Sequence, residues 1–244
     1  MDKNLKGLKP ALVWKHFAEI CNIPHPSHEE DAIRAYIVKW AQELGLEHKV
    51  DEAQNVYVYK PATPGMEDRK GIILQAHTDM VPQKNNDKEF DFSTDPIEAY
   101  IDGEWVTANG TTLGADNGIA VAMGLAVLAS NDLDHPSLEI LITTDEEAGM
   151  SGAMALDGSN LKGEYILNLD SEEEGYLLVS CAGGVTALST IPVEFKDADS
   201  SKVAYSLEIK GLLGGHSGMD IIKQRANSNK LLGRLLNLIS VDFD

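Results

Sequence analysis

Gly71-Ile72-Ile73-Leu74-Gln75-Ala76-His77-Thr78-Asp79 decides the fold class of this chain. The stretch opens as a short, mostly apolar run, the pattern of a strand buried in the middle of a sheet. Working outward, residues 137–143 (SLEILIT) and 165–169 (YILNL) have the same character, and residues 55–60 alternate Val and Tyr. Residues 116–130, rich in Ala, Ile, Val, Met and Leu, predict a buried helix. Ser27-His28-Glu29-Glu30 has the form of a capping box, with Ser27 as N-cap and Glu30 reaching back. It predicts a helix through Leu44 that stops at Gly45. Asp102-Gly103 between β-formers predicts a hairpin over residues 97–108. A short helix at 151–156 and a strand at 176–180 complete the pattern. Such alternation implies an α/β layer architecture with a largely parallel or mixed sheet. Sheets of that kind place ligand sites at the carboxyl ends of their strands.

The character changes after Cys181-Ala182-Gly183-Gly184. Residues 185–195 and 203–210 predict two long strands joined by a polar turn, and a helix over 220–239 follows. Two strands and one helix leave open sheet edges and make a poor independent domain. The expectation is a first domain over 1–184 and the cut-off start of a second over 185–244.

Of the 244 residues, 43% are hydrophobic and 24% charged, which suits a globular chain with a real core. The net charge of −19 opposes nucleic acid, whose binding needs clustered cations, and opposes an anionic membrane surface. The longest apolar run falls well short of the ~20 residues that a membrane-spanning helix requires. Cys21 and Cys181 are far apart and make no disulfide framework. The first residues lack the apolar region of a signal peptide. A cytoplasmic location is expected.

Four segments share one design, an apolar element ending in metal-ligand side chains. His77 and Asp79, two apart, point to one side of an extended backbone. The carboxylate can then hold one ring N–H while the other nitrogen binds a metal. Gly110-Thr111-Thr112-Leu113-Gly114-Ala115-Asp116 is a glycine-rich loop that puts Asp116 at a helix start. There it is either an N-cap or a carboxylate bridging two cations. Asp145-Glu146-Glu147 follows a buried strand, and three like charges at a strand end are costly without a cation. The adjacent glutamates can divide the work, one binding metal and one acting as general base. Asp170 ends another apolar strand, and Glu172-Glu173-Glu174 reads as a solvated turn. Each segment alone is a weak signal; together they assemble one imidazole and several carboxylates without thiolate. That donor set suits zinc, with manganese or cobalt as alternatives.

The segments LQAHTDMVPQK, GTTLGADNGIAVA, TTDEEAGMSGA, LNLDSEEEG and KGLLGGHSGMDI resemble the cocatalytic zinc exopeptidase family that includes aminoacylase, glutamate carboxypeptidase and bacterial dipeptidases. Their wording is similar to its aminoacyl-histidine dipeptidase branch. The resemblance implies a three-layer core of zinc-exopeptidase type followed by the start of an α+β lid. It implies two zinc ions per site, Co2+ or Mn2+ being substitutes, and hydrolysis of Xaa-His dipeptides of the carnosine type. Related tripeptidase or aminoacylase activity is the alternative. His77 and Asp170 would bind one zinc, Glu147 the other, and Asp116 both. Asp79 would orient His77, and Glu146 would be the general base. A cis peptide is implied at Asp116–Asn117. His216, in Gly214-Gly215-His216-Ser217-Gly218, matches a lid histidine that polarises the scissile carbonyl. In some members this histidine comes from a partner subunit, so a homodimer through the lid is a further expectation. His16, His25, His28, His48 and His135 match no catalytic position and read as surface or structural. The family's second zinc has a further histidine ligand from a later segment, which residues 1–244 do not contain. The resemblance therefore also leaves open a poorly active fragment with weak or single-metal binding.

Overall fold

The computed structural model describes residues 5–171, 173–181, 183, 185, 187–215 and 220–242. By packing, the chain divides into two units, Met1–Cys181 and Ala182–Asp244.

The first unit is built on a five-stranded mixed sheet. Its strands are β1 (Glu47–Val50), β2 (Val56–Lys60), β3 (Ile72–His77), β6 (Leu138–Thr143) and β7 (Tyr165–Asn168), in the order β1-β2-β6-β3-β7. β3 lies between β6 and β7 and is parallel to both, while β2 is antiparallel to β1 and to β6. Strands β4 (Ala99–Asp102) and β5 (Trp105–Ala108) form a separate hairpin, whose turn has Gly103 in the left-handed region. The apolar run read as a central strand is therefore β3, and every residue of β6 is buried.

Helices α1 (Ala11–Cys21), α2 (Asp31–Glu43) and α3 (Ala115–Ala129) contribute to the main core. Phe17 and Ile20 of α1, Ile33 and Ile37 of α2, and Val121 and Leu125 of α3 meet Val56, Val58, Ala76, Ile140 and Ile142 of the sheet. Alternation along the strands sends Tyr57, Tyr59, Ile73 and Leu141 to the other face. There they pack with Leu156 and Leu161, beyond the short helix α4 (Ser151–Met154). Among the described residues no helix is long and apolar enough to cross a membrane.

Three expectations change. Helix α2 begins at Asp31, with Glu30 as N-cap and no side-chain cap bond. Neither Ser27 nor Glu30 supplies a capping side chain, because both side chains bond residues that follow β3 and β6 instead. Its end does match the sequence, with Gly45 in the left-handed region after the last turn. Residues 176–180, and the described residues of 185–195 and 203–210, are not strands. Leu177, Val179, Val185 and Phe195 are almost fully exposed. Apolar, β-prone composition does not make a strand without a neighbour to complete the ladder. The predicted 220–239 helix divides into a short 3-10 turn (Ile221–Lys223) and α5 (Ser228–Asp242).

The loop after β6 is clamped from behind by α4. Gly152 Cα packs so closely that an added Cβ would lie 2.4 Å from Asn55 Oδ1 and 2.6 Å from the Thr144 carbonyl oxygen. Asn55 itself donates to the Gly152 carbonyl and accepts from the Thr144 amide. The obstruction includes backbone, so it cannot swing aside. Gly152→Ala is expected to cost about 1–3 kcal/mol, the range for overpacking a tight site, read from the urea midpoint.

Candidate metal centre

Parallel pairing of β6, β3 and β7 brings three carboxyl ends to one edge of the sheet. His77 is the last residue of β3; Glu146 and Glu147 follow β6; Asp170 follows β7. The fourth contribution, Asp116, comes from the first turn of α3, which Gly114 enters in the left-handed region. The peptide Asp116–Asn117 is cis.

These side chains converge. His77 Nε2 lies 3.2 Å from Asp116 Oδ1, 3.6 Å from Asp170 Oδ1 and 3.9 Å from Glu146 Oε2. On the other side of the ring, Nδ1 lies 3.2 Å from Asp79 Oδ1 and 3.0 Å from the Asp79 carbonyl oxygen. Acceptors flank both ring nitrogens, so the metal-free setting favours a ring protonated at both, while a cation at Nε2 would leave the remaining proton on Nδ1 toward Asp79. The His77 side chain is 1% exposed, whereas Asp116 is 50% exposed, so the cluster has a buried floor and an open rim.

Asp79 is the best-satisfied carboxylate of the group. Besides the ring it accepts from the Glu146 amide at 2.9 Å, the Glu147 amide at 3.0 Å and Ser27 Oγ at 2.8 Å. Burial would raise its pKa, but these hydrogen bonds overcome it and hold Asp79 at about 2. Burial likewise opposes a charged His77, yet Asp116, Asp170 and Asp79 outweigh it and push the ring up to about 12. At Glu147, burial first and then the Asp116 charge raise the carboxyl to about 7. Glu146 is raised for the same kind of reason, burial and the neighbouring Asp170. The raised Glu146 and Glu147 carboxyls and the raised His77 ring all follow from crowding several acidic groups around one buried imidazole.

The donor set fits a divalent cation. Two groups of ligand atoms, His77–Asp116–Asp170 and His77–Glu146–Glu147, each lie within 4.8 Å of one another. Every metal ligand expected from sequence is in one of these groups, and they share His77. Val81, Thr112, Leu113, Gly114 and Ala115 line a cavity of about 310 Å³ that also reaches Asp116 and Glu147. His216 lies outside the described residues. Sequence reasoning missed Asn117, which is 3% exposed. Its Oδ1 accepts from the His77 amide, and its Nδ2 donates to Asp170 Oδ1 at 2.9 Å. An amide side chain at the start of an otherwise apolar helix was the available signal.

The model of peptidase family M20/M25/M40 matches residues 73–219, more than half of the sequence. The chain belongs to this peptidase family. It is 51% identical over 232 residues to the cytosol non-specific dipeptidase of Escherichia coli, covering 95% of this chain and 48% of that protein. It is also 51% identical to the aminoacylhistidine dipeptidase of Vibrio alginolyticus, with a TM-score of 0.74 over 96% of this chain and 48% of that one. A tripeptidase from Staphylococcus aureus shares the fold at 22% identity and a TM-score of 0.57, over 66% of this chain and 43% of its own. The chain thus spans about half the length of the relatives it matches.

Proposed function

We propose that this chain carries the greater part of a two-zinc centre that hydrolyses dipeptides, with aminoacyl-histidine dipeptides as the substrate class. The observation that carries the reading is the convergence of His77, Asp116, Glu146, Glu147 and Asp170 at one edge of the sheet. His77 and Asp170 would hold one cation, Glu147 would hold the other, and Asp116 would serve both. When bound, such a pair supplies Lewis acidity to the peptide carbonyl and acidifies a water molecule. Asp79 fixes the His77 ring and keeps its proton on Nδ1, away from the cation side. Glu146, raised but close to the cluster, removes a proton from the attacking water and returns it to the leaving amine. His216 is assigned from its sequence motif to the carbonyl oxygen, where a donor stabilises the developing oxyanion. Dipeptides as substrates are supported by the names of both relatives at 51% identity, and the aminoacyl-histidine class by that of the Vibrio alginolyticus relative. The residues 1–184 form the catalytic part and 185–244 the lid part in this reading. A cytoplasmic location fits the name of the Escherichia coli relative.

The test supplies the protein with zinc or cobalt and offers glycyl-histidine, β-alanyl-histidine, a tripeptide and an N-acetyl amino acid. Free histidine is expected from the two dipeptides. Turnover of the tripeptide or the N-acetyl amino acid alone would move the reaction to another branch. Tight cation binding without turnover of any of them would reduce the chain to a metal-binding module.

A further inference from the structure

The segment between α1 and α2 crosses the carboxyl edge of the sheet and touches the ends of two of the three strands that carry the cluster, β3 and β6. Pro26 makes a parallel bridge to Met80, and the Met80 amide donates to the His25 carbonyl. Ser27 Oγ donates to Asp79, and His28 Nδ1 lies 3.0 Å from Asp145 Oδ1. Glu30 then turns away from its own helix. One of its oxygens, Oε1, accepts from Thr78 Oγ1 at 3.2 Å, Thr144 Oγ1 at 2.6 Å and the Asp145 amide at 2.7 Å. Thr78 follows β3, and Thr144 and Asp145 follow β6. Glu30 is 4% exposed, so this oxygen is a buried focus for three donors from two strand ends.

The three amides that leave β6 have a common fate. Asp145 donates to Glu30, whereas Glu146 and Glu147 donate to Asp79. Asp145 has φ 57, left-handed backbone that a non-glycine residue keeps only where its surroundings impose it. Two buried carboxyl groups thus fix three successive peptides of the loop that presents Glu146 and Glu147. Helix α2 goes without a side-chain cap as a consequence. A local rule broken in this way is the signature of a residue recruited by a site.

We infer that Glu30 is a positioning residue for the metal centre, setting the path of the 144–147 loop so that Glu146 and Glu147 face His77. The inference rests on the metal-centre reading above for its consequence, but not for its geometry. It demands an acceptor at Oε1, so Glu30→Gln, which keeps an oxygen there, should substitute for Glu30, and Glu30→Ala should not.

Two measurements test it. In chelator-treated protein, hydrogen exchange at the amides of residues 145–147 is expected to quicken about tenfold or more in Glu30→Ala, as loss of a buried acceptor implies, and to stay near wild type in Glu30→Gln. Zinc titration at a temperature where all variants are folded is expected to show about tenfold weaker binding in Glu30→Ala, at the low end of what losing an outer partner of a metal site costs. Glu30→Gln should again resemble wild type. Val58→Ala, a core truncation far from these bonds, serves as control; it lowers the melting temperature without either effect. Thr144→Val removes one donor and carries both measurements if Glu30→Ala does not fold. Unchanged exchange in Glu30→Ala, or in Thr144→Val in its place, overturns the inference. Faster exchange with unchanged zinc affinity also overturns it, since the loop would then move without consequence for the metal. If wild type binds no zinc, the metal-centre reading is what fails, and the exchange result alone decides whether Glu30 sets the loop.

Discussion

Glu146→Gln is expected to leave the protein folded, with zinc affinity close to wild type, and to lower kcat by about 10²–10⁴, the range that a positioned general base supplies. Glu147→Gln is expected to behave differently, losing cation affinity first and activity as a result. The structure motivates the contrast. Both carboxyl groups are raised, but the Asp116 charge is the second cause after burial at Glu147, whereas at Glu146 the acidic neighbours rank behind His77. Glu147 also lines the cavity beside Asp116, while Glu146 Oε2 stands 3.9 Å from the His77 ring. Steady-state kinetics with glycyl-histidine, paired with zinc titration, separates the two roles. Equal loss of zinc from both variants would show that the glutamates act together as ligands, leaving the base unassigned.

His77→Ala carries the second large effect. His77 belongs to both ligand groups, so its removal is expected to weaken cation binding by at least about 100-fold, beyond the cost of losing an outer partner. The metal-free fold should suffer as well. Asp79 is fully buried and shares its hydrogen bonds between His77, Ser27 and two amides. Breaking a buried ionic pair by deleting one partner costs about 3–5 kcal/mol, because the remaining charge is left uncompensated. Urea unfolding in the presence of a chelator measures this directly. A variant as stable as wild type would mean that Asp79 is satisfied by Ser27 and the loop amides alone.

What could be read from the sequence follows from where hydrophobic periodicity and local chemistry agree. β3, β6 and α3 are apolar runs with abrupt polar ends, and the polar ends are where the cluster lies. Strand direction does the rest, since β6, β3 and β7 run parallel and deliver His77, Glu146, Glu147 and Asp170 to one edge. Ser27 and Glu30 were misread because a capping box and a buried hydrogen-bond strap use the same residue types, and only tertiary contact distinguishes them. Asn117 was hidden for a similar reason, its partners being the His77 backbone and Asp170. His28, read as surface, is largely exposed and yet pairs with Asp145, a contact that sequence separation conceals. Tyr176 to Ser180 and the apolar stretches after residue 185 show the opposite failure, a strand pattern with no ladder among the described residues.

The proposed chemistry requires the carboxyl edge of β6-β3-β7 to be a cation site. Zinc titration of chelator-treated protein, read by calorimetry and by elemental analysis after gel filtration, tests that most directly, with His77→Ala and Asp116→Asn run alongside. Saturable binding in wild type that collapses in both variants is the predicted result. Undiminished binding in the variants, or none in wild type, would contradict it.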